Sequence, residues 1–106
     1  MVSNLQELKT ALDGLNIPVA YSHFNVATST PYLVYYVDSS DGFYADNKTY
    51  SKTQTINIEL YTDIKDETLE GSLETILNNN DLAYSIMSET YIDDEELYEV
   101  LYQIEI

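Results

Sequence analysis

The side chains that could do chemistry in this sequence are one histidine and many carboxylates. His23 is the sole histidine, and the chain contains no cysteine. A zinc site, or a nucleophile with its base, needs several such groups brought together. His23 also stands among apolar residues in a predicted extended segment. We therefore predict a structural role for His23.

Two acidic stretches are candidates for a site. The first surrounds Asp41 and Gly42. A calcium loop with Gly42 at its sixth position would begin at Val37, where a carboxylate is needed, and its twelfth position would lack the required Glu. The run from Asp93 to Glu96 indicates a solvated turn in a chain this acidic. We expect no catalytic, cofactor-binding or metal site, and no enzyme activity.

The charge balance bears on possible partners. Nineteen Asp and Glu residues face four Lys, for a formal net charge of -15. Proteins that bind nucleic acid neutralise phosphates with Lys and Arg, so we expect no direct affinity for DNA, and none for acidic membranes. The charge is explained either by solubility or by a surface that repels or imitates DNA.

Length and hydropathy set the overall organisation. The 106 residues predict a single domain, residues 1–106. No apolar run has the length of a membrane span, and the N-terminus lacks the zones of a secretion signal. We expect a cytoplasmic protein stabilised by packing without disulfide bonds.

Tyrosine dominates the aromatic residues, with eleven Tyr against two Phe and no Trp. A tyrosine ring suits half-buried strands and protein interfaces equally. Both explanations stay open at this point.

The stretch from Thr53 to Asp63 is the most regular in the chain. Its apolar and polar residues alternate, which predicts a central strand with one buried face. The buried face is predicted to carry Ile56, Ile58 and Leu60, and the opposite face Thr55, Asn57, Glu59 and Tyr61.

A first amphipathic helix is predicted near the N-terminus. Ser3 is its expected N-cap, with Gln6 in the capping-box position, and Gly14 suits the left-handed position at its end. Its apolar positions are Leu5, Leu8, Ala11, Leu12 and Leu15. An extended segment from Val19 to Phe24 should follow.

The run from Tyr32 to Val37 predicts a strand that is covered on both faces or lies at the centre of the sheet. A long connection, Ser39 to Thr49, then leads back to the central strand. Its tip carries the candidate interaction residues Phe43, Tyr44, Asp46 and Asn47. Either these aromatic rings contact a partner, or Phe43 folds back onto its own sheet.

A second helix should follow the central strand, capped by Thr62 or Asp63. Gly71 within it is expected to mark a close approach to the sheet. The predicted apolar stripe is Leu69, Leu73, Ile76 and Leu77, with Glu67, Glu70 and Glu74 on the opposite face.

Two further strands are predicted, from Leu82 to Ile92 and from Leu97 to Ile106. The resulting fold is α+β, with the order α-β-β-β-α-β-β, a mainly antiparallel sheet and two helices packed on one face.

Five stretches of the sequence carry a similarity to a known family: Ile17–Phe24, Pro31–Tyr35, Ala45–Asn47, Ile58–Asp66 and Tyr98–Glu105. With these stretches, the pattern as a whole resembles the small tail-terminator or tail-completion (head–tail joining) proteins of long-tailed bacteriophages and of prophages of Gram-positive bacteria.

The resemblance implies a structural subunit that assembles into a ring, commonly a hexamer. The ring would end the tail tube at its head-proximal side and join it to the connector. The implied partners are copies of the same chain, the tail-tube protein and the head–tail connector protein. The implied location is the virion tail, after assembly in the cytoplasm of the bacterial host.

A ring threaded by DNA would benefit from walls that repel DNA, which agrees with the negative charge. Two alternatives stay open: an acidic DNA-mimic inhibitor of a DNA-binding protein, and a monomeric acidic domain with no role in assembly.

Overall fold

The fold comes from a computed structural model, which describes residues 2–38 and 54–106. These ranges contain two α-helices, one 3₁₀ turn and five strands: α1 (Leu5–Leu12), the turn (Asp13–Leu15), β1 (Val19–Tyr21), β2 (Tyr32–Val37), β3 (Thr55–Thr62), α2 (Glu67–Asn79), β4 (Tyr84–Ile92) and β5 (Leu97–Glu105). The predicted α+β fold and its element order are confirmed. None of the described helices combines the length and apolarity that a membrane crossing needs.

The described strands form one sheet in the order β1-β2-β3-β5-β4. β1 runs parallel to β2, and the other pairs are antiparallel. β3 is therefore the central strand. β2 lies next to it, and its consecutive residues Leu33, Val34 and Tyr35 are all buried. The prediction that β2 is covered on both faces agrees with this burial.

Alternation along β3 produces the core. Ile56, Ile58 and Leu60 are at most 1% exposed, and their β3 neighbours point to the other face. The register aligns them with Leu33, Tyr35, Val100, Tyr102 and Ile104. The helices cover this face with Leu8, Leu12, Leu73 and Leu77, so both pack on the same side. Burying each such side chain contributes roughly 1.5–3 kcal/mol.

The N-cap of α1 is Asn4, so the prediction of Ser3 is wrong by one residue. The Asn4 side chain accepts a hydrogen bond from the Glu7 backbone N–H at 2.8 Å. The Glu7 carboxylate in turn accepts one from the Ser3 N–H at 2.8 Å. The hydrogen bonds from Ser3 hold the pKa of Glu7 below its usual value. Glu7 is favoured over Gln6 because a carboxylate also suits the positive end of the helix dipole.

The end of α1 also differs from the prediction. The chain continues through the 3₁₀ turn, which brings Leu15 into the core. Asn16, with φ of 62°, takes the left-handed conformation that was expected of Gly14. Asn tolerates this conformation because its short polar side chain can bond locally.

The N-cap of α2 is Asp66, and the predictions of Thr62 and Asp63 are wrong. The Asp66 carboxylate accepts a hydrogen bond from the Leu69 N–H at 3.0 Å. Thr62 cannot take this place because it is the last residue of β3, paired with Tyr98.

The predicted outer face of α2 is wrong for Glu70 and Glu74. Glu70 is 9% exposed, and Glu74 accepts a hydrogen bond of 2.8 Å from the Tyr102 hydroxyl. Glu70 precedes the buried Leu77 by seven residues, nearly two full turns, so both lie on the same side of the helix. These two carboxylates flank the apolar stripe, whereas Glu67 is exposed.

Gly71 does not mark a close approach to the sheet, because a Cβ atom placed on it would meet no atom of another described element within 4 Å. Two strand boundaries also move. β1 ends before Ser22 and β4 begins after Asp81, where the backbone φ values are 70° and 59°. Such left-handed residues end an extended segment.

Candidate interaction surfaces

The face of the sheet away from the helices carries tyrosines and polar side chains in cross-strand rows. We call it the tyrosine face. One row is Tyr32, Tyr61 and Glu99, and another is Tyr36, Asn57 and Gln103. The Gln103 amide donates to Asn57 Oδ1 at 3.0 Å. The polar residues of β3 thus lie in a hydrogen-bonded layer.

Glu59 is the shared acceptor at the centre of the tyrosine face. The Tyr36 hydroxyl donates to its Oε2 at 2.5 Å, and the Tyr61 hydroxyl to its Oε1 at 2.7 Å. Tyr36 reaches Glu59 from the diagonal position on the neighbouring strand, while Tyr61 is two residues along the same strand. Tyr61 also lies 3.3 Å from Glu99 Oε2. Both rings are held in place through one carboxylate.

This arrangement changes the acidity of its members. Burial and the hydrogen bond to Glu59 raise the pKa of Tyr36 to about 12. The same causes raise the pKa of Tyr61 well above its ordinary value. Burial, with the negative charge of Glu59, raises the pKa of Glu99. At neutral pH the Tyr36 and Tyr61 phenols are therefore neutral hydrogen-bond donors.

One end of the tyrosine face opens into a cleft of about 450 Å³. We call it the aromatic cleft. The rings of Phe24 and Tyr32 have centroids 5.4 Å apart, and those of Tyr32 and Tyr61 are 5.0 Å apart. Glu59 and Glu95 also line the cleft.

His23 lies at the aromatic cleft, exposed in the loop after β1. Its Nδ1 is 3.1 Å from the Ser22 hydroxyl. The expectation that it sits in a strand among apolar residues is wrong, because β1 ends at Tyr21. Within residues 2–38 and 54–106, no group of three or more His, Asp or Glu side chains is placed to hold a metal ion.

The second surface is β4, which forms an outer edge of the described sheet. Every residue from Ser85 to Tyr91 is exposed. Ile86, Met87 and Tyr91 have exposed fractions of 54%, 52% and 48%. A bulge at Met87 interrupts the pairing with β5. Large apolar side chains on an edge strand are typical of a surface that pairs with another chain.

Lys65 links β4 to the helix layer through two carboxylates. The Lys65 ammonium lies 3.0 Å from Glu70 Oε1 and also contacts Glu89 on β4. Hydrogen bonds to Glu89 and Glu70 raise the pKa of Lys65. This pair of contacts fixes the start of α2 against the middle of β4.

The candidate interaction residues Phe43, Tyr44, Asp46 and Asn47 lie outside the described residues, so their role stays a prediction. Sequence reasoning missed both the shared acceptor Glu59 and the edge position of β4. The alternation of β3 placed Glu59 and Tyr61 on one face. The contact with Tyr36, however, depends on a strand register that no local pattern encodes.

No protein-family model matches the sequence, and no curated protein matches it. Among the solved structures that are similar to this chain, one matches over 97% of this chain and 94% of its own length, with 14% sequence identity and a TM-score of 0.48. At this identity and score, the similarity carries no weight for function.

Proposed function

We propose that this chain is a non-enzymatic structural subunit of a phage or prophage tail. Copies of it form a ring that ends the tail tube and joins it to the head connector. The observation that carries the proposal is the exposed apolar edge of β4. The sequence resemblance to tail-terminator and tail-completion proteins gives the assembly its context.

A ring of identical subunits is built from heterologous contacts, in which one surface of a subunit meets a different surface of the next. β4 supplies one such surface. Its outer side has backbone N–H and C=O groups directed away from β5, and its side chains include Ile86 and Met87. Burial of these groups against a neighbouring subunit would satisfy the edge and remove apolar area from water.

The net charge of -15 supports the same role. A hexameric ring would carry about ninety negative charges, which would limit adhesion of the DNA passing through it.

Size-exclusion chromatography with light scattering tests the proposal, first on the chain alone and then with purified tail-tube protein. We expect a closed multiple of the 12.1 kDa subunit, or a complex of that multiple with the tube. A monomer under both conditions would overturn the proposal. If the monomer instead formed a salt-sensitive complex with a basic DNA-binding protein, the DNA-mimic alternative would be favoured.

A further inference from the structure

The aromatic cleft has walls suited to a positive charge. Phe24 and Tyr32 meet edge to face at 78°, and Tyr32 and Tyr61 are tilted by 31°. Their π faces carry partial negative charge, so a cation placed over them is attracted. The three rings come from the loop after β1 and from strands β2 and β3, and the sheet pairing of Tyr32 with Tyr61 fixes their spacing.

Two carboxylates complete the cleft. Glu59 of β3 and Glu95 of the turn between β4 and β5 both line it. Glu59 already accepts hydrogen bonds from two phenols. A carboxylate offers about four acceptor directions, so Glu59 can accept further donors. Burial raises the pKa of Tyr32 most, and the negative charges of Glu95 and Glu59 raise it further, which agrees with their closeness to this ring.

The lysines of the described residues are engaged elsewhere. Lys9 pairs with Asp13, and Lys65 contacts Glu70 and Glu89. The whole sequence contains no arginine. An arginine that enters the cleft must therefore come from another protein.

We propose that the aromatic cleft binds the guanidinium group of an arginine side chain from a partner protein. A guanidinium is planar, stacks on aromatic rings and donates in a fork that matches a carboxylate. An ammonium group lacks the planar shape and is more strongly hydrated. This site rests on its own geometry and does not depend on ring formation through β4.

The direct test is an NMR titration of the isotope-labelled protein with Nα-acetyl-arginine methylamide. We expect saturable shifts confined to the cleft, at Phe24, Tyr32 and Tyr61. The neutral, nearly isosteric citrulline analogue should bind roughly 2–10-fold more weakly, the loss expected for a cation–π and carboxylate contact. The lysine analogue should also bind more weakly than arginine.

Glu95→Gln should weaken binding of the arginine probe roughly 2–10-fold. Asp94→Asn is the matched control, because it removes the same charge from the same turn without lining the cleft. Both positions are exposed, so folding should be retained. Three results would each overturn the proposal: no saturable shifts, equal binding of the citrulline or lysine analogue, or an equal loss in Asp94→Asn.

Discussion

The Tyr61 hydroxyl donates a hydrogen bond of 2.7 Å to Glu59, two residues before it on the same strand. Tyr36 donates to the other oxygen of the same carboxylate. Glu59 therefore accepts hydrogen bonds from two phenols, while its charge acts on Glu99 across the strand pair. These relationships predict how the stability of the fold depends on pH.

Glu99→Gln should stabilise the protein at neutral pH. Burial and the charge of Glu59 raise the pKa of Glu99, so the stability linked to its protonated form is present below the unfolded pKa and lost as pH rises through the folded pKa. At neutral pH the charges of Glu99 and Glu59 in the parent protein repel each other. The neutral amide removes this repulsion and can still accept from Tyr61. We expect the melting temperature to rise by about 2–5 °C, as relief of a cross-strand like-charge contact would give.

The control for this change is Glu105→Gln, which removes the same charge from an exposed position at the end of β5. Thermal melts across a pH series should show the Glu99→Gln gain shrinking as acid protonates the parent carboxyl. An equal rise in the melting temperature of Glu105→Gln would show that the stabilisation comes from the change in net charge alone.

Alkali should destabilise the fold through the half-buried phenols of Tyr36 and Tyr61. Burial raises the pKa of Tyr36 to about 12, and that of Tyr61 is raised as well. The stability that these protonated phenols contribute is complete below the unfolded value of about 10 and is lost as pH rises through the folded pKa. Phenolate absorbance should therefore appear at higher pH in the native protein than in urea. Tyr36→Phe should reduce the part of the absorbance that appears only at the highest pH. Superimposable native and denatured curves would contradict this.

Gly71→Ala should stabilise α2. The added Cβ meets no atom of another described element within 4 Å, so the main change is in helix propensity, by about 0.5–1 kcal/mol in favour of Ala. The melting temperature should rise by about 2–6 °C. Ser72→Gly, at the next and exposed position, should lower it. A fall in the melting temperature of Gly71→Ala would indicate that the sheet does approach this residue closely.

The apolar periodicity of the sequence predicted the buried face of β3, the fold class and the order of the elements. The alternation in β3 identified Ile56, Ile58 and Leu60 as core residues, since a pleated strand directs successive side chains to opposite faces. The α+β class and the element order followed from the same patterns.

Helix starts were harder to predict because adjacent residues compete. Ser3 and Asn4 are both good N-caps, as are Thr62, Asp63 and Asp66. Which one acts depends on where the preceding strand ends and where the helix meets the core. The charge of Glu70 favours an exposed position, yet its seven-residue spacing from Leu77 places it on the buried side of α2.

The interaction surfaces depend on the order and register of strands that are distant in sequence. The 23-residue separation between Tyr36 and Glu59 leaves no local signal of their hydrogen bond. The edge position of β4 follows from the sheet order, which the apolar pattern of Tyr84–Ile92 does not encode.

In the proposed ring, the edge of β4 holds copies of this chain together. Sedimentation velocity of Ile86→Asp, with tail-tube protein present, tests it most directly. Ile64→Asp is the matched control, since Ile64 is 74% exposed and lies outside β4. A carboxylate buried without a partner in an interface costs several kcal/mol, so Ile86→Asp should sediment as a folded 12.1 kDa monomer while the parent and Ile64→Asp form the closed multiple. Assembly of Ile86→Asp to the same size as the parent would contradict the account.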